Sequence, residues 1–285
     1  MIPAPALLAL AASVLMHVAW NLSARAADPK SFFLWWALLG WLVLVGPWSA
    51  AWLIGHAEWS ARLALLLSVT CAAEALYFLA LGIAYRHAPV PLVYPIARSS
   101  PVLIAVWTVF LFGEHLPAAG WLAILVIVGG VLGLAWTARG GAPAQALPWA
   151  IAAAFGTSVY STSNKLAVPA LPGYLTQLGY VTVTLLVAWI ALTLELRART
   201  GRWVPEHRPA SGRAVLGGLF IGNAYALVIF AMQYVPAAYA VAFTNAGIVL
   251  ATLIAITIYK EREHWRSRLA AVLVICAGLL LLGLA

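Results

Sequence analysis

Residues 87–107 read HAPVPLVYPIARSSPVLIAVW. The stretch has the length and apolar content of a membrane span, about 20 residues. It nevertheless holds four prolines (Pro89, Pro91, Pro95, Pro101) and a permanent cation, Arg98. An interior proline frees the carbonyl one turn earlier, here Pro91 for Pro95 and Ala97 for Pro101. Lipid tolerates such carbonyls only where protein or water satisfies them. Pro89 and Pro91 mark the start of a helix. Pro95 and Pro101 give it either a fixed kink or a working hinge, and in both cases space opens beside Tyr94 and Arg98, which share a face at i, i+4.

The composition places this stretch in a bilayer. Apolar residues make up 65% of the 285-residue chain and charged residues only 8%, against about a quarter in soluble domains. The expected fold class is all-α integral membrane, one bundle without a soluble domain. A net charge of +8 would suggest nucleic acid in a soluble chain. Here the basic residues lie between apolar blocks and form no single patch, so no nucleic-acid partner is expected. Cys71 and Cys276 sit far apart inside apolar runs, which excludes a disulfide framework and gives no metal site. The first twenty residues lack a basic n-region and are long enough to span, so they read as a first helix and not as a cleaved signal.

Counting apolar runs predicts ten transmembrane helices, over 4–24, 31–54, 62–85, 90–112, 117–137, 147–166, 172–196, 212–233, 237–259 and 264–284. The boundaries carry turn chemistry or charge, as in AADPK, GHAEWS, ARGGAPAQ and YKEREHWR. Thirteen of the sixteen Lys and Arg residues fall in the odd-numbered loops, among them Arg25, Arg86, Arg139, Arg202 and Arg266. Arg62 and Lys165 lie on the other side, and Arg98 lies within a span. The positive-inside rule then puts the odd loops in the cytoplasm and both termini outside it. Three lysines against thirteen arginines, with abundant alanine, indicate a GC-rich bacterial source and hence an inner membrane.

Shifting the chain by 147 residues lays HAPV (87–90) over YVPA (234–237), Glu114 over Glu261, and Arg98 over Asn245. A shift of 140 lays WNLSAR (20–25) over YSTSNK (160–165), pairing Trp20 with Tyr160. The expected organisation is two five-helix repeats, 1–140 and 141–285. An odd number of spans per repeat makes the halves run in opposite directions, an inverted-topology repeat.

With these motifs, and with FLFGEHL (110–116), YKERE (259–263) and VIVGGVLGL (126–134), the chain resembles the drug/metabolite transporter superfamily, in particular its ten-helix EamA-type members. The resemblance covers essentially the whole chain. Lys260 stands where the first half has Gly113, and the ninth span lacks the proline series of the fourth. The resemblance implies secondary-active export of small metabolites, most often amino acids, by alternating access through a central cavity between the halves. It also brings the alternative of an exchanger of nucleotide sugars or sugar phosphates. No cofactor is implied. The partners are a small-molecule substrate, the bilayer, and protons or a counter-substrate.

Of the charged side chains, Glu74 and Arg98 alone lie well inside spans. A charge at the bilayer centre costs about 2.5–3.5 kcal/mol on the insertion scale and so faces a partner or a cavity. Their depths nearly match, about 16 and 12 Å from the turn joining their helices. Either they form a structural salt bridge, or Arg98 receives a substrate carboxylate while Glu74 faces an amine or takes up a proton.

Aromatic residues beside polar ones extend the candidate site: Trp20 with His17 and Asn21, Tyr77 near Glu74, Tyr94 near Arg98, and Tyr160 opposite Trp20 in the repeat. Such a wall suits planar or cationic, including aromatic, substrates. Tryptophans at helix ends read as interfacial anchors. Asn223 and Asn245 are expected to hydrogen-bond across helices, with Asn245 also a site candidate. His17 suits a hydrogen-bonded structural role or a proton-coupling one. Glu114 and Glu261 read as caps at opposite ends of the bundle. The six histidines are scattered, and neither GxSxG nor HExxH occurs, so the chain is not expected to be an enzyme. A channel is disfavoured by the inverted repeat with midplane charges.

Overall fold

A computed structural model describes residues 2–25, 32–88, 90–137, 145–258, 260 and 264–285. Glu261, one of the paired glutamates, lies outside them, as do the side chains of Arg25 and Pro91. In hydrocarbon every backbone N–H and C=O needs an internal partner, which a helix supplies along its whole length. The described residues accordingly form α-helices joined by short connections, with no strand among them. The chain is an all-α, multi-pass integral membrane protein.

The helices are α1 Ala4–Arg25, α2 Phe33–Leu44, α3 Gly46–His56, α4 Ala61–His87, α5 Val90–Ala97, α6 Pro101–Phe112, α7 Ala118–Thr137, α8 Ala146–Ala167, α9 Gly173–Thr200, α10 Ser211–Ala231, α11 Ala237–Thr244, α12 Ala246–Thr257 and α13 Trp265–Leu284. Among the described residues, eight segments are long and apolar enough to cross a bilayer. A ninth is added when the bent pair α2 and α3 is taken as one crossing. The span expected over 31–54 is thus broken, with a 60° bend at Val45. Pro47 causes it, because proline has no N–H to give the preceding turn and its ring clashes with the carbonyl four residues back.

Two further spans are interrupted. Pro101 opens α6, and Arg98–Ser100 form a turn between α5 and α6. Asn245 separates α11 from α12 without any proline. Helix α8, over the span expected at 147–166, has 22 residues but is not among the apolar crossing segments. One reason is its polar content: Thr157, Ser158, Ser161, Thr162, Ser163 and Asn164 are all buried.

Helix α8 lies against α4, α1 against α10, and α7 against α13. Small residues allow the close approaches. A methyl group on Gly156 of α8 would sit 2.9 Å from the Ala73 carbonyl oxygen of α4, and one on Gly218 of α10 would overlap the Ala37 carbonyl oxygen of α2. Without a hydrophobic drive between helices in lipid, such contacts are what hold a bundle together. Leu8, Phe110, Trp136 and Leu280 remain exposed on the outer, lipid-facing surface. At one end Arg86 of α4 pairs with Glu195 of α9 at 2.9 Å. At the opposite end the Lys165 ammonium of α8 donates to the carbonyls of Met232 and Val235, at 2.6 and 3.0 Å.

Candidate functional site

The two interrupted helices meet where they are interrupted. Arg98, in the turn after α5, donates from Nη1 to the Thr244 hydroxyl at 3.0 Å. It also donates from Nε and Nη2 to the Tyr94 hydroxyl, at 2.9 and 2.7 Å. Its guanidinium carbon lies 5.0 Å from the centre of the Tyr94 ring, so the expected i, i+4 pairing is present. Asn245, in the break between α11 and α12, donates from Nδ2 to the Arg98 carbonyl at 3.4 Å. That carbonyl is one that the missing helical turn leaves without an intrahelical donor, and the cross-helix amide supplies one.

Among the described residues Arg98 therefore has hydroxyl partners and no carboxylate. Among the described residues no ion pair joins it to Glu74, so the structural salt bridge between them is not formed. Glu74 is buried in the middle of α4 beside Tyr225 of α10, and its Oε2 has no hydrogen-bond partner. Tyr225 in turn accepts from Asn164 Nδ2 at 2.8 Å. The Asn164 carbonyl oxygen accepts from Thr70 at 3.2 Å, and Thr70 is hydrogen-bonded to the Tyr180 hydroxyl at 2.8 Å. This network ties α4, α8, α9 and α10 together beside the carboxylate.

Between the two charges stands an aromatic wall. Tyr77 meets Tyr160 edge to face at 5.9 Å, and Tyr160 meets Tyr225 at 5.6 Å. Both Glu74 and Arg98 lie within Coulombic reach of Tyr77 and Tyr160. Such an arrangement suits a planar or partly charged group held by ring edges and faces.

The remaining sequence candidates form a local group on α1. Trp20 Nε1 donates to His17 Nδ1 at 3.0 Å, so that nitrogen acts as acceptor and the ring proton sits on Nε2. Asn21 returns its amide to the His17 carbonyl of its own helix at 2.7 Å. Trp20 is buried in the apolar core with Phe33 and Trp41. His17 of this group comes within Coulombic reach of Arg98. Asn223 accepts from the Tyr174 hydroxyl across α9 and α10 at 2.7 Å.

Thr244, Tyr225, Asn164, Thr70 and Tyr180 were not singled out by sequence. Their signal was a polar group in an apolar helix at the depth of Glu74 or Arg98, which a search led by formal charge passes over. A groove of about 430 Å³ at the loop end, lined by Glu58, Trp59, Arg62 and Pro169 among others, contains none of the site residues.

Fold and centre together define a multi-pass helical membrane protein built around a buried polar junction of broken helices. Residues 144–283, its second half, match the EamA-like transporter family. No curated protein matches the chain significantly in sequence. A crystal structure of another protein superposes on it with a TM-score of 0.71 at 22% identity, covering 98% of this chain and 96% of that one. The likeness extends to the whole fold, including the half outside the family match.

Proposed function

We propose that the chain is a secondary-active transporter that exports small metabolites bearing an anionic group, foremost amino acids and among them aromatic ones. One observation carries this reading: a guanidinium inside the bundle, at the junction of two broken helices, bonded to neutral hydroxyls and, among the described residues, to no carboxylate. A substrate carboxylate fits its planar fork of donors. The family match supports a transporter, and Tyr77, Tyr160 and Tyr225 supply a wall for an aromatic side chain. A substrate with two phosphates would ask for several deep cations. Lys165, the other candidate cation near the spans, is engaged by the carbonyls of Met232 and Val235.

Alternating access in this reading uses ten spans, α8 included, as inverted halves 1–140 and 141–285. Supporting it, the packing partners are preserved when the halves are exchanged. The pair α4 with α8 becomes α10 with α1, and α4 with α9 becomes α10 with α2, while α7 with α13 maps onto itself. Residues 98 and 245, aligned by the shift of 147, are both break residues. The membrane is a bacterial inner membrane with both termini outside, and transport is coupled to protons or a counter-substrate.

Counterflow in proteoliposomes, with a panel of amino acids, tests the function. Preloaded substrate should accelerate uptake in the wild type, and Arg98→Lys should fold yet lose at least about tenfold in rate, the worth of a charge-assisted bond. Uptake that does not respond to preloading would exclude a carrier, and an active Arg98→Lys protein would remove the guanidinium from the binding site.

A further inference from the structure

The junction of the broken helices holds a hydrogen-bond acceptor with nothing to accept. Asn245 is 1% exposed, and its Nδ2 faces the Arg98 carbonyl. A carbonyl oxygen can be faced only by the NH₂ end of an amide, which fixes the orientation of the side chain. Its Oδ1 is then left buried and without a partner. Of the eight buried side-chain atoms without a partner among the described residues, Ser100 Oγ and Asn245 Oδ1 lie in the two breaks, and a buried acceptor costs free energy until a donor reaches it.

Arg98 has the complementary surplus. A guanidinium carries five N–H donors, and the contacts to Tyr94 and Thr244 engage one on each of its three nitrogens. Donors for an anion and an acceptor for a cation thus adjoin, because Thr244 takes Nη1 of the arginine whose backbone Asn245 holds. Two other buried oxygens lack a partner nearby: Glu74 Oε2, which lies beside Tyr225, and Ser100 Oγ in the same turn as Arg98, a hydroxyl that can donate as well as accept.

We infer that Asn245 Oδ1 receives the ammonium of a substrate whose carboxylate lies on Arg98, which makes free α-amino acids the substrate class and Asn245 the residue that selects them. The inference rests on the reading of Arg98 as a carboxylate receptor. A carboxylate and an ammonium one carbon apart fit one donor surface and one adjacent acceptor. The same oxygen rejects a deamino acid, since that ligand fills the site and leaves the acceptor unpaired. The oxygen is covered in this conformer, and the substrate reaches it as the two broken helices part.

The test compares L-phenylalanine with phenylpropionate, its deamino counterpart, by the concentration of each that half-maximally raises the thermal stability of the purified full chain. Wild type and Glu74→Gln should prefer the amino acid about tenfold, as expected for one bond to a charged group. Asn245→Leu, which keeps the branching at Cγ and has no acceptor, should bring that ratio to about one. If the leucine protein does not fold, Asn245→Ala makes the same comparison. A preference that survives in the leucine or alanine variant, or that disappears in Glu74→Gln, would overturn the assignment. A wild type stabilised equally by both probes would overturn it too, as when a water occupies Oδ1. A wild type stabilised by neither removes the carboxylate reading of Arg98 and this inference with it, a silent protein being distinct from an indiscriminate one.

Discussion

Arg98 and Glu74 were visible in the sequence as the two charges inside spans, but their relation was not. Matching depth along adjacent helices is compatible with a salt bridge and with two separate sites. Side-chain direction decides, and a run of residues does not specify it through the break at Arg98–Ser100 that Pro101 follows. In the structure Arg98 turns toward α11 and Glu74 toward α10. Removing one partner of a buried ion pair costs about 3–5 kcal/mol, much of which a double neutral variant recovers. Without the pair there is little to recover. The stability losses of Glu74→Gln and Arg98→Gln should add in the double variant to within about 0.5 kcal/mol. Thermal unfolding of the four proteins measures the coupling, and a recovery of several kcal/mol would mean that the two charges meet.

Among the elements, the first break was legible and the second was not. Proline announces its own effect on a helix, so the fourth span read as non-uniform. Asn245 announces nothing, since its backbone keeps helical angles, φ −67° and ψ −14°. The interruption appears only in the hydrogen bonds that surround it. The bend at Val45 had a written cause in Gly46-Pro47, hidden by the strongly apolar residues around it. Lys165 shows the same limit, as it reads as a basic helix end while its partners lie in another element. Its ammonium serves the carbonyl end of α10, where the helix dipole and unfilled acceptors both favour a cation. Lys165→Met should lower stability by about 1–3 kcal/mol, and Lys165→Arg by much less. Equal stability of the methionine variant and wild type, in the same unfolding assay, would show that the contact does not hold α8 to α10.

For the whole molecule, the proposed orientation rests on the asymmetry of Lys and Arg. With thirteen basic residues in the odd-numbered loops, a reporter that is bright only in the cytoplasm should stay dark when fused after Ala285. A bright fusion would invert the orientation. The all-helical class was readable from composition because lipid leaves a helical chain few alternatives, whereas the number of self-sufficient spans was not. A window average responds to total polarity and not to which face carries it. Helix α8 conceals its hydroxyls and Asn164 against α4, α6 and α10.

That concealment bears on how the chain enters the membrane as it is made. Emerging from the ribosome, α8 presents six polar side chains: Thr157, Ser158 and Thr162 return their hydroxyls to carbonyls of their own helix, whereas Ser163 and Asn164 depend on partners in α4 and α10. On its own it is a poor substrate for the insertion machinery. Helix α9 follows after a connection of five residues, 168–172, and is 28 residues long and apolar enough to insert unaided. The two are expected to enter together as a helical hairpin, the second carrying the first. A chain truncated after Ala170 should leave a cysteine introduced near its end accessible to labelling from the cytoplasmic side. One extended to Thr200 should move the same position across the membrane. Translocation already in the shorter chain would show that α8 needs no companion.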